Sequence, residues 1–192
     1  MDIYTVLEII SVICGTLFLI LMVKENIWCW IFGILSSAIT IYLYTHVTLY
    51  LEAGLNFYYI LAGFYGWIYW YKHRGRNQKT PVIEWKAKFH YINIIGGITL
   101  SLALGYIMHQ YTNSHRPYID ATITVFSFSA TYLEARKVLS TWYYWFFLNA
   151  ASIALMIDRE LYFFAALSAF YTVMSIVGYK QWNKTLKEQK TL

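Results

Sequence analysis

Long apolar runs and short polar breaks alternate along this chain, and the runs share one length. Each is close to 20 residues, which a helix rising 1.5 Å per residue needs to cross about 30 Å of hydrocarbon. The pattern predicts seven helices, at 4–23, 27–46, 50–71, 89–110, 119–137, 140–157 and 161–181. Most breaks are a handful of residues, so consecutive helices are expected to lie antiparallel and adjacent. Only the stretch from Lys72 to Lys88 is an obvious loop. The expected fold class is an all-α membrane protein with seven transmembrane helices. The first run starts at Ile3 and contains Glu8. It lacks the basic leader and small-residue cleavage site of a signal peptide, and is read as a helix that stays.

Composition narrows the class further. Of 192 residues, 59% are apolar, 20% aromatic and 13% charged. Soluble domains carry about 25% charged residues, so a soluble globule, a disordered chain and a disulfide scaffold are excluded. Cys14 and Cys29 sit in or beside apolar runs without metal-ligand spacing and read as small packing residues. Of the 15 basic residues, 13 fall on one side of the predicted spans and only Arg116 and Arg159 on the other. Basic residues stay on the cytoplasmic side, so the C-terminus is expected inside and the N-terminus outside. Topology accounts for the net charge of +5, which gives no reason to expect nucleic acid.

Sliding the chain against itself reveals a repeat at an offset of 112 residues. Trp30 meets Trp142, Tyr59 meets Tyr171, Gly66 meets Gly178 and Trp70 meets Trp182. There are 11 identities over residues 28–70, and Glu8 aligns with Asp120. Residues 4–71 and 119–182 are read as two copies within one transmembrane transporter domain spanning 1–192, with 89–110 as a linker helix. Three helices per copy would invert the second, and the linker restores its direction. The expected arrangement is 3+1+3 with parallel repeats, as in SWEET proteins, where duplicated halves enclose a midplane site.

Candidate chemistry lies in stripes along these helices. The third carries Glu52, Asn56, Tyr59, Gly63, Gly66 and Trp70 at steps of three and four, hence on one face. The fifth aligns Asp120, Thr124, Ser127, Thr131 and Glu134; the sixth aligns Trp142, Trp145, Asn149 and Ser152. The seventh aligns Ser168, Tyr171, Ser175, Gly178 and Trp182. Gly63, Gly66, Ser175 and Gly178 read first as helix packing, since small residues allow close approach in lipid. Asn56 and Asn149 have four hydrogen-bonding positions each, to be met by a ligand or by a neighbouring helix. Trp142 and Trp145 are either interfacial aromatics or part of a box for a cation. Asp120 reads as a helix-start acid, and Glu134 has Lys137 within reach three residues on. No helix centre holds arginine or lysine, so phosphate and carboxylate cargoes are poorly served. A flat, neutral or cationic small molecule fits best.

These residues resemble the PnuC family of vitamin-precursor transporters, whose members carry nicotinamide riboside and whose PnuT branch carries thiamine. The likeness runs from about residue 5 to 182. It rests on the segment YLEAGLNFYYILAGFYGWIYW from Tyr50 to Trp70, the turn Ala135-Arg136-Lys137, and the Trp142, Trp145, Asn149 motif. The resemblance implies the 3+1+3 fold, a homotrimer in the inner membrane, and facilitated diffusion made inward by cytoplasmic phosphorylation of the cargo. It also implies substrate binding at Trp142, Trp145 and Asn149, joined here by Asn56, Tyr59, Tyr171, Glu52 and Glu134, without cofactor or metal. Asn56 stands where riboside carriers usually have glutamine. That shorter amide, with Glu134 before the turn, makes thiamine the expected cargo and nicotinamide riboside the alternative. An enzyme is disfavoured because the five histidines form no ligand pair and no nucleophile-base set shares a face. A retinal-type receptor is disfavoured because the seventh helix has no lysine near its middle.

Overall fold

The computed structural model describes residues 3–46, 50–75, 79–112, 116–158, 160 and 162–191. These form seven helices: α1 (Ile3–Val23), α2 (Cys29–His46), α3 (Tyr50–Lys72), α4 (Ala87–Tyr111), α5 (Pro117–Ala135), α6 (Thr141–Asp158) and α7 (Tyr162–Lys190). A parallel bridge between Ile83 and Val138 is the sole β contact among the described residues. By length and composition α1, α2 and α4 are apolar enough to cross a membrane. The other four are at least as long as α2 but less apolar. Large apolar side chains stand exposed along the helices, as on α4 with Tyr91, Ile92 and Ile95. A bilayer is the solvent for such a surface.

Every helix boundary but one lies within two residues of the hydropathy pattern. The exception is the end of α7, which continues to Lys190, past the expected end at residue 181. The apolar run stops at the membrane edge, but the helix has other support. Trp182 and Leu186, one turn apart, are buried. Lys184 and Glu188 stand four apart on the exposed side, 4.0 Å from each other.

The chain divides into two compact units. The first comprises Met1–Val82, Ala135–Lys137 and Gln181–Leu192, and the second Ile83–Glu134 and Val138–Lys180. In the first unit α2 packs against both α1 and α3. Hydroxyls tie α1 to α2, with Ser11 Oγ 2.8 Å from Thr40 Oγ1 and Ser36 Oγ donating to the Ser11 carbonyl at 2.9 Å. Cys14 and Cys29 are both buried in it as free thiols.

In each unit a tryptophan ring lies flat on a glycine. A Cβ at Gly66 would strike the Trp30 ring, and a Cβ at Gly178 would strike the Trp142 ring. Gly63 is likewise filled by Ile34. These glycines are packing positions, and the two tryptophan–glycine matches of the 112-residue offset are two copies of one contact. In the second unit α4 turns Gly97, Ser101 and Gly105 to the interior. Phe126 and Tyr118 of α5 fill the spaces over its two glycines.

The turns after α1 and α5 are also copies. Glu25 and Lys137, 112 apart in sequence, both adopt left-handed backbone, with φ of 60° and 55°. The next amide in each case reaches back to close the helix: Asn26 N to Leu21 O and Val138 N to Leu133 O, both 2.9 Å. This is the closure usually made around a glycine.

Replacing Gly66 or Gly178 by alanine is expected to force the indole out of its seat and cost about 1–3 kcal/mol. A lowered melting temperature of each purified variant in detergent checks this; an unchanged melting temperature would show that the rings shift freely.

Candidate functional site

The sixth-helix motif separates into three environments. Trp142 is 1% exposed, its ring held against Gly178. Trp145 and Asn149 are half-buried on the same face, three and seven residues on. The Trp145 indole N–H is buried and faces the Glu134 carboxyl of α5 without reaching hydrogen-bond geometry. Glu134 itself is only 3% exposed. Ser127 and Thr131 continue its face as buried hydroxyls, with Thr131 Oγ1 donating to the Ser127 carbonyl at 2.8 Å. An acid and an indole therefore meet within the second unit, with the Asn149 amide one turn further along α6. Tyr171 of α7 is half-buried in that unit, one turn before Ser175, which is buried and donates to the Tyr171 carbonyl at 2.8 Å.

Asn56 and Tyr59 belong to the first unit, half-buried and one turn apart on α3. Glu52 falls on α3, but its side chain lies outside the described residues. Asp120 stands in the first turn of α5, where a carboxylate meets the positive end of a helix.

Lys137 departs from the reading of its sequence neighbourhood. The left-handed turn swings it away from Glu134, three residues before, so that pair does not form. Its side chain is fully buried and its Nζ lies 2.8 Å from Glu25 Oε2. Burial pushes its ammonium pKa down, and the Glu25 carboxylate opposes that shift. Lys137 is thus not one of the surface charges that its place among the 13 inner basic residues suggested. Glu25 was absent from the candidate residues; the matching offset of 112 to a residue of opposite charge was the available signal.

A cavity of about 800 Å³ also opens in the second unit, lined by residues of α4, α5 and α6 including His90, Phe126, Ser140 and Tyr144. At 100° per residue, its α6 residues Tyr143, Tyr144, Phe147 and Ala151 lie on the side opposite Trp142, Trp145 and Asn149, with Leu148 at the border between the two sides. Its wall is mostly apolar and contains none of the expected substrate residues. His90 and Tyr144 instead join a polar string: His90 Nδ1 lies 3.1 Å from Tyr144 Oη, to which Asn93 donates at 3.2 Å.

Seven helices carrying stripes of acids, amides and indoles, with large apolar side chains exposed around them, define an all-α membrane protein. No group of metal-ligating side chains occurs among the described residues. The nicotinamide mononucleotide transporter family matches residues 5–184, and the chain belongs to that family. It is 20% identical over 208 residues to the nicotinamide riboside transporter PnuC of Escherichia coli (strain K12), covering 95% of this chain and 87% of that protein. The PnuC protein of Shigella flexneri matches with the same identity and coverage. The crystal structure of the vitamin B3 transporter PnuC superposes with a TM-score of 0.77 at 21% identity, over 95% of this chain and 82% of that one. These relatives are transporters, in keeping with the absence of an enzymatic constellation from the sequence.

The two tryptophans are expected to behave differently when truncated. Trp142→Ala empties a packed seat and should cost about 3–5 kcal/mol of stability, whereas Trp145→Ala should melt much closer to the parent protein. Thermal unfolding of the two variants in one detergent checks this, and equal losses would contradict it.

Proposed function

We propose that the protein is a facilitative carrier for nicotinamide riboside, a flat pyridinium nucleoside. The observation that carries this reading is the family match along nearly the whole chain, with relatives named for that cargo. The family's own description names the mononucleotide, but a phosphate needs cationic partners. Lysine and arginine lie only at or beyond the ends of the apolar spans, as at Lys72, Lys88 and Lys180. Electrostatics therefore favours the nucleoside over the nucleotide.

The expectation of thiamine rested on Asn56 and Glu134. Glu134 has a role beside the Trp145 indole that either cation accommodates, and the relatives reported above are named for the riboside. Asn56 is then a shorter amide serving the same kind of cargo.

In the proposed mechanism the pyridinium ring stacks on Trp145, with Trp142 as the buried wall behind it. The Glu134 carboxylate balances the cationic charge, and the Asn149 and Asn56 amides bond the carboxamide or ribose. Tyr171 adds a hydroxyl from the second unit; Asn56, Tyr59 and Glu52 of α3 are proposed as cargo contacts on their sequence pattern alone. Alternating access between repeats in a parallel 3+1+3 arrangement moves the cargo. No ion is coupled, and cytoplasmic phosphorylation makes the movement inward. The N-terminus is outside, the C-terminus in the cytoplasm, and the carrier sits as a homotrimer in the inner membrane.

Calorimetric titration of the purified protein with nicotinamide riboside, nicotinamide mononucleotide and thiamine tests the cargo. The riboside should bind at least tenfold tighter than either of the others. Trp145→Ala should weaken it about tenfold or more, the worth of one desolvated cation–π contact. Tighter binding of thiamine would return the assignment to the thiamine branch, and tighter binding of the mononucleotide would overturn the charge argument.

A further inference from the structure

The proposed transport chemistry leaves unused the most deeply buried pair of charges in the first unit. The Glu25 and Lys137 side chains are both 0% exposed, with Nζ and Oε2 2.8 Å apart. Each has further partners. Thr185 of the α7 tail donates to Glu25 Oε1 at 2.5 Å, and Lys137 Nζ donates to the Thr80 carbonyl. The ammonium also sits 4.9 Å from the Trp70 ring and 5.9 Å from the Trp182 ring. Those indoles are tied down in turn, Trp70 Nε1 donating to Ala135 O and Trp182 Nε1 to Met22 O, both 3.1 Å.

The sequence repeat gives this cluster an internal symmetry. The offset of 112 that relates Trp70 to Trp182 also relates Glu25 to Lys137. The tryptophan ending α3 grips the end of α5, and its copy in α7 grips the end of α1. The two charges occupy the same left-handed turn position, where glycine would carry no steric penalty. A chain that sets glutamate and lysine at both copies of a glycine-type position is using the side chains.

We propose that Glu25 and Lys137 form a charge lock that joins the α1–α2 turn, the α5–α6 turn and the tail of α7, and stays closed throughout the transport cycle. Because its two positions are copies of one turn, the lock accepts either polarity. The first part rests on the carrier reading above; the second does not. Opening the lock would strand two buried charges and strip Thr185, Thr80 and both indoles of their partner at once. A step that did so in every cycle would be slowed about a hundredfold or more. A moving gate is therefore better served by weaker contacts elsewhere.

Two sets of variants test this. Glu25→Lys and Lys137→Glu each place like charges together and should lower the melting temperature and the folded yield sharply. The double charge swap should recover most of both. Recovery is incomplete because the Thr80 carbonyl, now an acceptor from Lys137, would face a carboxylate. A swap no better than the single variants would overturn the interchangeability. This comparison uses no cargo, so its outcome stands apart from the fate of the carrier reading.

The neutral pair Glu25→Gln with Lys137→Gln tests persistence. The parent protein is assayed in parallel, so that absence of transport in the parent counts against the carrier reading alone. For a lock that never opens, the neutral pair should melt lower, yet its turnover and KM for nicotinamide riboside per folded carrier should stay within about twofold of the parent. A turnover changed more than about fivefold in either direction would identify a moving gate and overturn the proposal. If the neutral pair does not fold, the swapped protein takes its place in the transport assay under the same criteria, and failure of the swap to fold overturns the lock as stated.

Discussion

Helices in a bilayer gain little by hiding apolar surface from lipid, so close packing and hydrogen bonds must hold them together. The seating of large rings on bare backbone is the contact on which much of this structure depends. Trp30 on Gly66 fastens α2 to α3, and Trp142 on Gly178 fastens α6 to α7. Phe126 and Tyr118 over Gly97 and Gly105 do the same for α5 on α4. An indole offers wide dispersion contact and few rotamers, and a glycine lets the opposing helix approach. The high aromatic content of the chain is in this respect structural before it is functional.

That packing also arranges the chemistry. A ring committed to a glycine is held rigid, so the Trp142 seat fixes the rotation of α6 and with it the positions of Trp145 and Asn149. Glu134 then faces an indole N–H at the end of a helix that terminates one residue later, at Ala135. Beyond that point Lys137 turns away into its own cluster. Acid and base, three residues apart, serve separate purposes: one faces the proposed cargo surface, and the other is sealed against Glu25.

Much of this was legible in the residues. Apolar run length gave seven helices because a bilayer imposes one length on every span, and Gly66 and Gly178 read as packing positions, although the rings that fill them, Trp30 and Trp142, were not paired with them. Three features were not legible, each for a physical reason. The continuation of α7 past residue 181 depends on burial of Trp182 and Leu186, which a membrane hydropathy window does not measure. The partner of Lys137 was misjudged because helical periodicity does not survive a left-handed turn. Glu25 lay in a short break that read as an ordinary loop, and only a structural match to Lys137 gives it meaning. The cargo was read through single-residue differences at Asn56 and Glu134, too few contacts to separate two cations of similar size.

Uncoupled movement of a nucleoside cation is the core of the proposed function. The direct measurement is flux of labelled nicotinamide riboside in proteoliposomes without any ion gradient. The account predicts saturable flux, accelerated by unlabelled riboside on the opposite side and unchanged by an imposed proton or sodium gradient. Flux no faster than in protein-free liposomes, or flux that appears only with such a gradient, would contradict it.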